Sequence, residues 1–229
     1  MKDIFLVDAD DTILDFHGGS ELALKELFAE FSIPWKEEYL LEYRKINEGL
    51  WSALERKEMT RDYLMSQRFH IYFAHMSMTD IDATAFNEKY IDMLSNCPIW
   101  FEGAEEFLEE LRARGRVYIV TNGTADVQKS RFSICRIYER TNDVFVSQEI
   151  GADKPDPRFT QFAIEHIPDF DKERAVWIGD SLSADIKAAQ DAAIDNIWFN
   201  PRKKSGVKDI NPTYECATYE EILNILKRI

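Results

Sequence analysis

The apolar positions of the chain fall into two regimes. Ile4-Phe5-Leu6-Val7 is a short uninterrupted apolar run with strand character, closed by Asp8. After Asp15 the spacing turns helical, and no convincing strand interrupts it before Cys97. Ser20 is placed to cap a first helix carrying Leu24, Leu27, Phe28 and Phe31 that ends near Ile33-Pro34. A second helix carries Tyr39, Tyr43, Ile46, Leu50 and Leu54. Thr60 and Thr79 are candidate caps for two more, over roughly 60–76 and 82–95.

From Pro98 onward helix and strand alternate. A helix with Ala104, Phe107, Leu108 and Leu111 stops at Gly115, and strands are predicted at Val117–Val120, Asp143–Val146, Ala175–Ile178 and Ile194–Phe199. Strands this apolar are buried on both faces, so the fold class is α/β, a three-layer Rossmann-like core around a parallel sheet. Residues 1–15 and 96–229 build that core, and residues 16–95 form an inserted all-helical domain.

Composition narrows the function. With 42 acidic and 28 basic residues the net charge is −14, which disfavours nucleic acid polymers and anionic membranes as partners. No apolar stretch reaches the ~20 residues a membrane helix needs, and the first run is cut off by Asp8 too early for a signal peptide. Cys97, Cys135 and Cys216 are far apart and odd in number, giving neither a disulfide framework nor a zinc knuckle, so a reducing cytoplasm is the expected setting.

In open parallel sheets ligands gather at the carboxyl ends of the strands. The first strand ends in Asp8-Ala9-Asp10-Asp11-Thr12, the second in Thr121-Asn122-Gly123, and the fourth in Gly179-Asp180-Ser181 with Asp185 five residues beyond Asp180. Lys154 follows the third strand and precedes Asp156-Pro157, which reads as an N-cap with proline at the first helical position. Asp8 and Asp10, spaced i and i+2, point to one side of an extended chain, and two such charges repel unless a metal or a proton intervenes. Carboxylates, a hydroxyl, an ammonium and backbone N–H groups suit one hard divalent cation, Mg2+, and one phosphate. For phosphoryl transfer, Asp8 is the candidate nucleophile and Asp10 the acid and base. Thr121 and Lys154, with N–H groups near Asn122 and Gly123, hold the phosphoryl oxygens.

The ordered set D-A-D-D-T, T-N-G, K-P-D-P and G-D-S-x-x-x-D resembles the four motifs of the haloacid dehalogenase (HAD) superfamily, over nearly the whole chain. The helical insertion is similar to the subfamily I cap, which closes over the active site and screens substrates. The resemblance implies a nucleophile at Asp8, an acid/base at Asp10, phosphate binders at Thr121 and Lys154, and magnesium ligands Asp8, Asp180 and Asp185, with Asp10 binding through its backbone carbonyl. One departure is Asp11, where the commonest first motif has Gly. The D-A-D-D-T form resembles bacterial noncanonical pyrimidine 5'-nucleotidases, as do Leu50-Trp51 and Trp198-Phe199-Asn200. The expected activity is therefore a magnesium-dependent phosphomonoesterase for a small phosphorylated metabolite, with nucleoside 5'-monophosphates, pyrimidine ones first, ahead of sugar phosphates. A haloacid dehalogenase has no need of Asp10 as an acid. A phosphorylated receiver module carries its acid pair on the first strand and its phosphorylated Asp on a later one, the reverse of the order here.

Outside the motifs, Arg68 interrupts an apolar helical face between Leu64, Ile71, Tyr72 and His75. It either reads the substrate or packs its stem and sends its head to water. Trp51 is a candidate base-stacking platform or simply interior packing. His17, His70, His75 and His166 share no ligand spacing, and the basic turn Pro201–Gly206 is expected to be solvated.

Overall fold

The computed structural model describes residues 1–229. Strand β1 (Ile4–Val7) leads into four long helices, α1 (Phe16–Glu30), α2 (Glu37–Glu55), α3 (Arg61–His75) and α4 (Ala83–Asn96). Then follow α5 (Ala104–Arg114), β2 (Arg116–Thr121), α6 (Ala125–Ile134), α7 (Ile137–Arg140), β3 (Asp143–Val146), α8 (Ser147–Ile150), α9 (Pro157–His166) and β4 (Ala175–Gly179). A π-helical turn (Leu182–Ile186) runs into α10 (Lys187–Asp191), and β5 (Asp195–Phe199), β6 (Tyr214–Cys216) and α11 (Tyr219–Leu226) complete the chain. The backbone contacts divide it into two compact units, one of residues Met1–Phe16 and Pro98–Ile229, the other of His17–Cys97.

The first unit is built on a six-stranded sheet in the order β3-β2-β1-β4-β5-β6, every pair parallel. Alternate residues of the strands feed two cores. Phe5, Val7, Val117, Ile119, Val176 and Ile178 pack with Phe107 and Leu111 of α5 and Ile222 of α11. Ile4, Leu6, Tyr118, Val120, Phe145 and Trp177 pack on the other face with Phe159 of α9 and Ala188 of α10. Helices on both faces make the three-layer sandwich that the near-continuous apolar strands require. The sixth strand was not legible in the pattern, because Tyr-Glu-Cys is short, its central Glu215 is exposed, and it pairs only along the edge of β5.

The helical unit packs around aromatic rings. Phe69 alone lies against Tyr43, Tyr72, Phe73, Phe86 and Tyr90. Thr60 caps α3 by accepting from Tyr63 N. Two expected caps differ. Asp82, not Thr79, caps α4, its Oδ1 accepting from Thr84 N and Ala85 N. Ser20 lies inside α1, which starts four residues earlier at Phe16. Its buried Oγ accepts from Tyr90 Oη at 2.9 Å. Gly18-Gly19 are poor helix formers and hide that first turn from a propensity reading, but tertiary packing overrides propensity. No helix is long and apolar enough to cross a membrane.

Candidate active site

Strand order places the motif residues. β1 is flanked by β2 and β4, with Val7 in register with both Ile119 and Ile178, so Asp8 leaves the sheet beside Val120-Thr121 and Gly179-Asp180. This is the point where strand order reverses direction, and a crevice opens there by topology alone. The π-helical turn after Ser181 brings Asp185 back against the end of β4, where its Oδ2 accepts from Ser181 N at 3.2 Å. A Cβ at Gly179 would lie 2.3 Å from Asp185 Cγ. The glycine of G-D-S is thus a space requirement of the acid six residues later.

Lys154 is the hub. Its Nζ donates to Asp8 Oδ1 and Asp185 Oδ1, each at 2.6 Å, and to Val120 O at 2.7 Å. An ammonium has three donors, so all are engaged within the protein. No N–H of the ammonium is left over for a phosphoryl oxygen, which the sequence reading expected it to hold. Asn122 fixes the lysine's backbone: its Oδ1 accepts from Lys154 N at 2.8 Å and its Nδ2 donates to Lys154 O at 2.9 Å. The anticipated cap also forms, Asp156 accepting from Arg158 N with Pro157 opening α9.

Burial and the charge of Asp185 raise the pKa of Asp8 well above the usual carboxylate range, against the opposing pull of Lys154. Burial by itself would lower the pKa of Lys154, but Asp185 and Asp8 outweigh it and the net shift is upward. Asp180 is pushed up to about 6 by burial, Asp11 and Asp185, against Lys204. Hence the like-charge conflict of the opening motif is not between Asp8 and Asp10. It lies between Asp8 and the acids of the last motif. Asp10 is compensated separately on α6, where Arg131 Nη1 donates to its Oδ1 at 2.5 Å and Gln128 Nε2 to its Oδ2 at 2.8 Å. The second oxygen of Asp8 accepts from Thr12 Oγ1 at 3.1 Å, which gives the last residue of D-A-D-D-T a task.

Thr121 Oγ1 accepts from Gly123 N at 3.0 Å and from Gln128 Nε2 at 2.9 Å, so the Gly123 N–H, expected to face a phosphoryl oxygen, is engaged locally. Gln128 and Arg131 were missed by sequence reasoning. The available signal was indirect: α6 reads A-D-V-Q-K-S-R-F-S-I, too few apolar residues to fill a buried face without polar ones.

The basic turn Pro201–Gly206 is not merely solvated. Lys204 Nζ donates to Asp180 Oδ2 at 2.8 Å, and Arg202 Nη2 reaches Asp11 Oδ1 at 3.2 Å and Asp15 Oδ1 at 3.3 Å. Asn200 folds the turn, its Oδ1 accepting from Lys204 N and its Nδ2 donating to Lys204 O, while Trp198 Nε1 donates to Asp180 O. The short W-F-N match therefore marks a brace behind Asp180. Asp11 has φ +59°, the left-handed conformation that favours glycine and that Asp tolerates better than other side chains. Its departure from Gly is accommodated by that tolerance and by Arg202. Asp11→Ala is accordingly expected to be less stable than Asp11→Gly by about 1 kcal/mol; urea denaturation of the two variants measures the difference, and equal midpoints would remove the conformational explanation.

Carboxylate oxygens of Asp8, Asp180 and Asp185 all lie within 4.8 Å of one another, a donor set of the hard-oxygen type that suits a divalent cation such as Mg2+. The Asp10 carboxylate is not among them and is held instead by Gln128 and Arg131 of α6. The shifts set a pH test. A carboxyl whose folded pKa is raised stabilises the protein below its unfolded value, near 3.8 for Asp180, and that contribution is lost as pH rises through about 6. Metal-free protein should therefore lose stability across that window, and saturating Mg2+ should raise the melting temperature far more at about pH 8 than at about pH 5. A pH-independent Mg2+ increment would show that the cation does not sit among these acids.

Of the two residues nominated in the helical unit, Arg68 is buried in its interior and Trp51 is half-buried. Arg68 is only 2 % exposed, its guanidinium lies against both the Phe69 and Tyr90 rings, and Nη2 donates to Asn87 Oδ1 at 3.0 Å. Its head does not reach water, contrary to the snorkelling expectation. Trp51 is half-buried beside Leu50, Leu54 and Leu64, with the Arg61 guanidinium over its ring.

A parallel sheet with an inserted helical unit and an Asp–Lys–Asp centre at the switch point defines a hydrolase of known type. A family profile for haloacid dehalogenase-like hydrolases matches residues 2–193, and the chain belongs to that family. It is 38 % identical over 221 residues, 96 % of this chain and 94 % of the relative, to the putative HAD-hydrolase YfnB of Bacillus subtilis strain 168. The crystal structure of YfnB bound to magnesium superposes with a TM-score of 0.91 at 37 % identity, covering 98 % of each chain. Pyrimidine 5'-nucleotidase PynA of Streptococcus pneumoniae is 32 % identical over 97 % of this chain and 94 % of its own length. Pyrimidine 5'-nucleotidase YjjG of Escherichia coli K12 is 24 % identical over 98 % and 97 %.

Proposed function

We propose that the protein is a magnesium-dependent phosphomonoester hydrolase that acts through an aspartyl phosphate and prefers nucleoside 5'-monophosphates, pyrimidine ones first. The observation that carries this reading is the buried Asp8–Lys154–Asp185 cluster. An acid group this costly to bury is kept where it reacts, and the similarity to PynA and YjjG over nearly full length supports a nucleotide as the ester.

In the reaction, a carboxylate oxygen of Asp8 attacks phosphorus, and the P–O bond to the nucleoside breaks with its electron pair going to the leaving oxygen. Asp10 delivers the proton that oxygen takes up. Water then attacks the phosphoryl group and gives its proton to Asp10, the bond to Asp8 breaks, and both carboxyl groups return to their starting states. Thr121 supplies a hydroxyl to a phosphoryl oxygen, and Lys154 balances the charge of Asp8 and Asp185 while negative charge shifts onto the phosphoryl group. Asp8, Asp180, Asp185 and the Asp10 backbone carbonyl would hold the magnesium ion, whose chemistry is to neutralise phosphoryl charge.

A panel of UMP, dUMP, TMP, purine monophosphates and sugar phosphates, each with Mg2+ and with EDTA, tests the reading. Phosphate release should be greatest with pyrimidine nucleotides and vanish with chelator. Equal or faster release from sugar phosphates would overturn the nucleotide preference and leave the aspartyl phosphate standing. No release from any ester would overturn both.

A further inference from the structure

The geometry points to Gln128 and Arg131 as positioning residues that fix the direction of the Thr121 hydroxyl proton and the place of the Asp10 carboxylate, an inference that rests on the phosphatase reading above. Both side chains are buried on α6, Gln128 at 0 % exposure and Arg131 at 4 %, although neither packs as an apolar residue would. Three hydrogen bonds join them to the site and a fourth joins them to each other. Gln128 Nε2 donates to Thr121 Oγ1 at 2.9 Å and to Asp10 Oδ2 at 2.8 Å, while Arg131 Nη1 donates to Gln128 Oε1 at 2.9 Å and to Asp10 Oδ1 at 2.5 Å.

The amide can stand only one way round. Reversed, it would set oxygen against the Asp10 carboxylate and N–H against a guanidinium that has no acceptor. With the N–H end fixed, the consequence falls on Thr121. A hydroxyl oxygen has two acceptor sites, and here Gly123 N and Gln128 Nε2 take both. The hydroxyl proton must leave along the remaining direction, as a donor not engaged by the protein, toward whatever occupies the crevice. Without Gln128 the hydroxyl has a free lone pair and its proton can rotate, so part of the population meets an oxyanion lone pair to lone pair.

The sequence accommodates this arrangement at Gly123. A Cβ there would sit 2.3 Å from Gln128 Nε2 and 2.5 Å from its Cγ. The glycine of T-N-G therefore makes room for the glutamine five residues later. Arg131 completes the unit from behind, holding the amide by its oxygen and Asp10 by its second carboxylate oxygen. Neither side chain needs to touch the substrate to act.

The test uses two esters whose leaving groups differ in their need for a proton. UMP expels a basic alkoxide that requires Asp10, whereas p-nitrophenyl phosphate expels a phenolate that does not. Gln128→Met, of similar length but without a donor, is expected to lower kcat/KM on UMP by about 100-fold or more, and on p-nitrophenyl phosphate by about 10-fold. The smaller, shared loss reports the Thr121 proton, and the excess on UMP reports Asp10. In a Thr121→Val background, Gln128→Met should add no further loss on p-nitrophenyl phosphate, because the group it orients is gone. Arg131→Gln, which keeps a polar side chain on α6, should shift the UMP to p-nitrophenyl phosphate ratio in the same sense and serves if the methionine variant does not fold. Equal losses on both esters, or undiminished activity in folded variants, overturn the positioning role while the phosphatase reading stands. Wild-type protein inactive on both esters overturns the two together.

Discussion

Asp8→Asn is expected to lower turnover by on the order of 10^4-fold or more while leaving the protein folded, because it removes the only group proposed to bond covalently to phosphorus. The substitution keeps the shape of the side chain and its oxygen for Lys154, which retains Asp185 and Val120 O as partners. It also removes one of the like charges. Burial and Asp185 raise the pKa of Asp8, so its ionised form opposes folding above the ordinary carboxylate range. The metal-free variant should therefore melt at or above the wild-type temperature at about pH 8. Activity and melting temperature thus move in opposite directions, as expected where a site holds charge for reaction and not for stability. Residual turnover within tenfold of wild type would refute the nucleophile assignment, and a collapsed melting temperature would show that Asp8 is structural.

The second large effect is on stability. Lys154→Met keeps the length of the buried stem and removes the ammonium, leaving the carboxylates of Asp8 and Asp185 facing one another and Val120 O without its donor. Breaking a buried ion pair from one side costs about 3–5 kcal/mol. The urea midpoint of metal-free protein at neutral pH should fall accordingly. The loss should shrink as pH falls, since a carboxyl with a raised folded pKa takes up its proton more readily in the folded state, and it should shrink when Mg2+ is added. A loss under about 1 kcal/mol, unresponsive to both, would mean that the cluster tolerates its charges without the lysine.

The two variants also separate the parts of the centre that sequence could and could not disclose. D-A-D-D-T, T-N-G, K-P-D-P and G-D-S-x-x-x-D are local strings; three stand at the end of a strand whose own apolar run announces it, and K-P-D-P follows the third strand after the short helix α8. Position at a strand end and order along the chain were enough to nominate Asp8, Asp10, Thr121, Lys154, Asp180 and Asp185. They were not enough to say which acid opposes which. Asp8 and Asp10 are two residues apart in the chain, yet the pKa of Asp8 is raised by burial and by the charges of Asp185 and Asp180, while Asp10 is paired with Arg131.

Three further groups were invisible for a similar reason. Gln128 and Arg131 come from a helix with no catalytic motif, and Lys204 from a turn that reads as solvated surface. Each acts through a contact with a residue at least 24 positions away in the chain, and hydrophobic periodicity carries no information about such pairings. Arg68 shows the converse. Its place in an apolar helical face was legible, but whether its head lay in water or against aromatic rings depended on α4, which supplies Tyr90 and Asn87.

By itself, the sequence determined the parallel α/β core with its helical insertion and the motif residues, because apolar periodicity and turn chemistry are local properties of the chain. Only the tertiary structure decided how those residues share charge and direct their protons. Those depend on distances of a few ångströms between side chains brought together by strand order, with β1 set between β2 and β4.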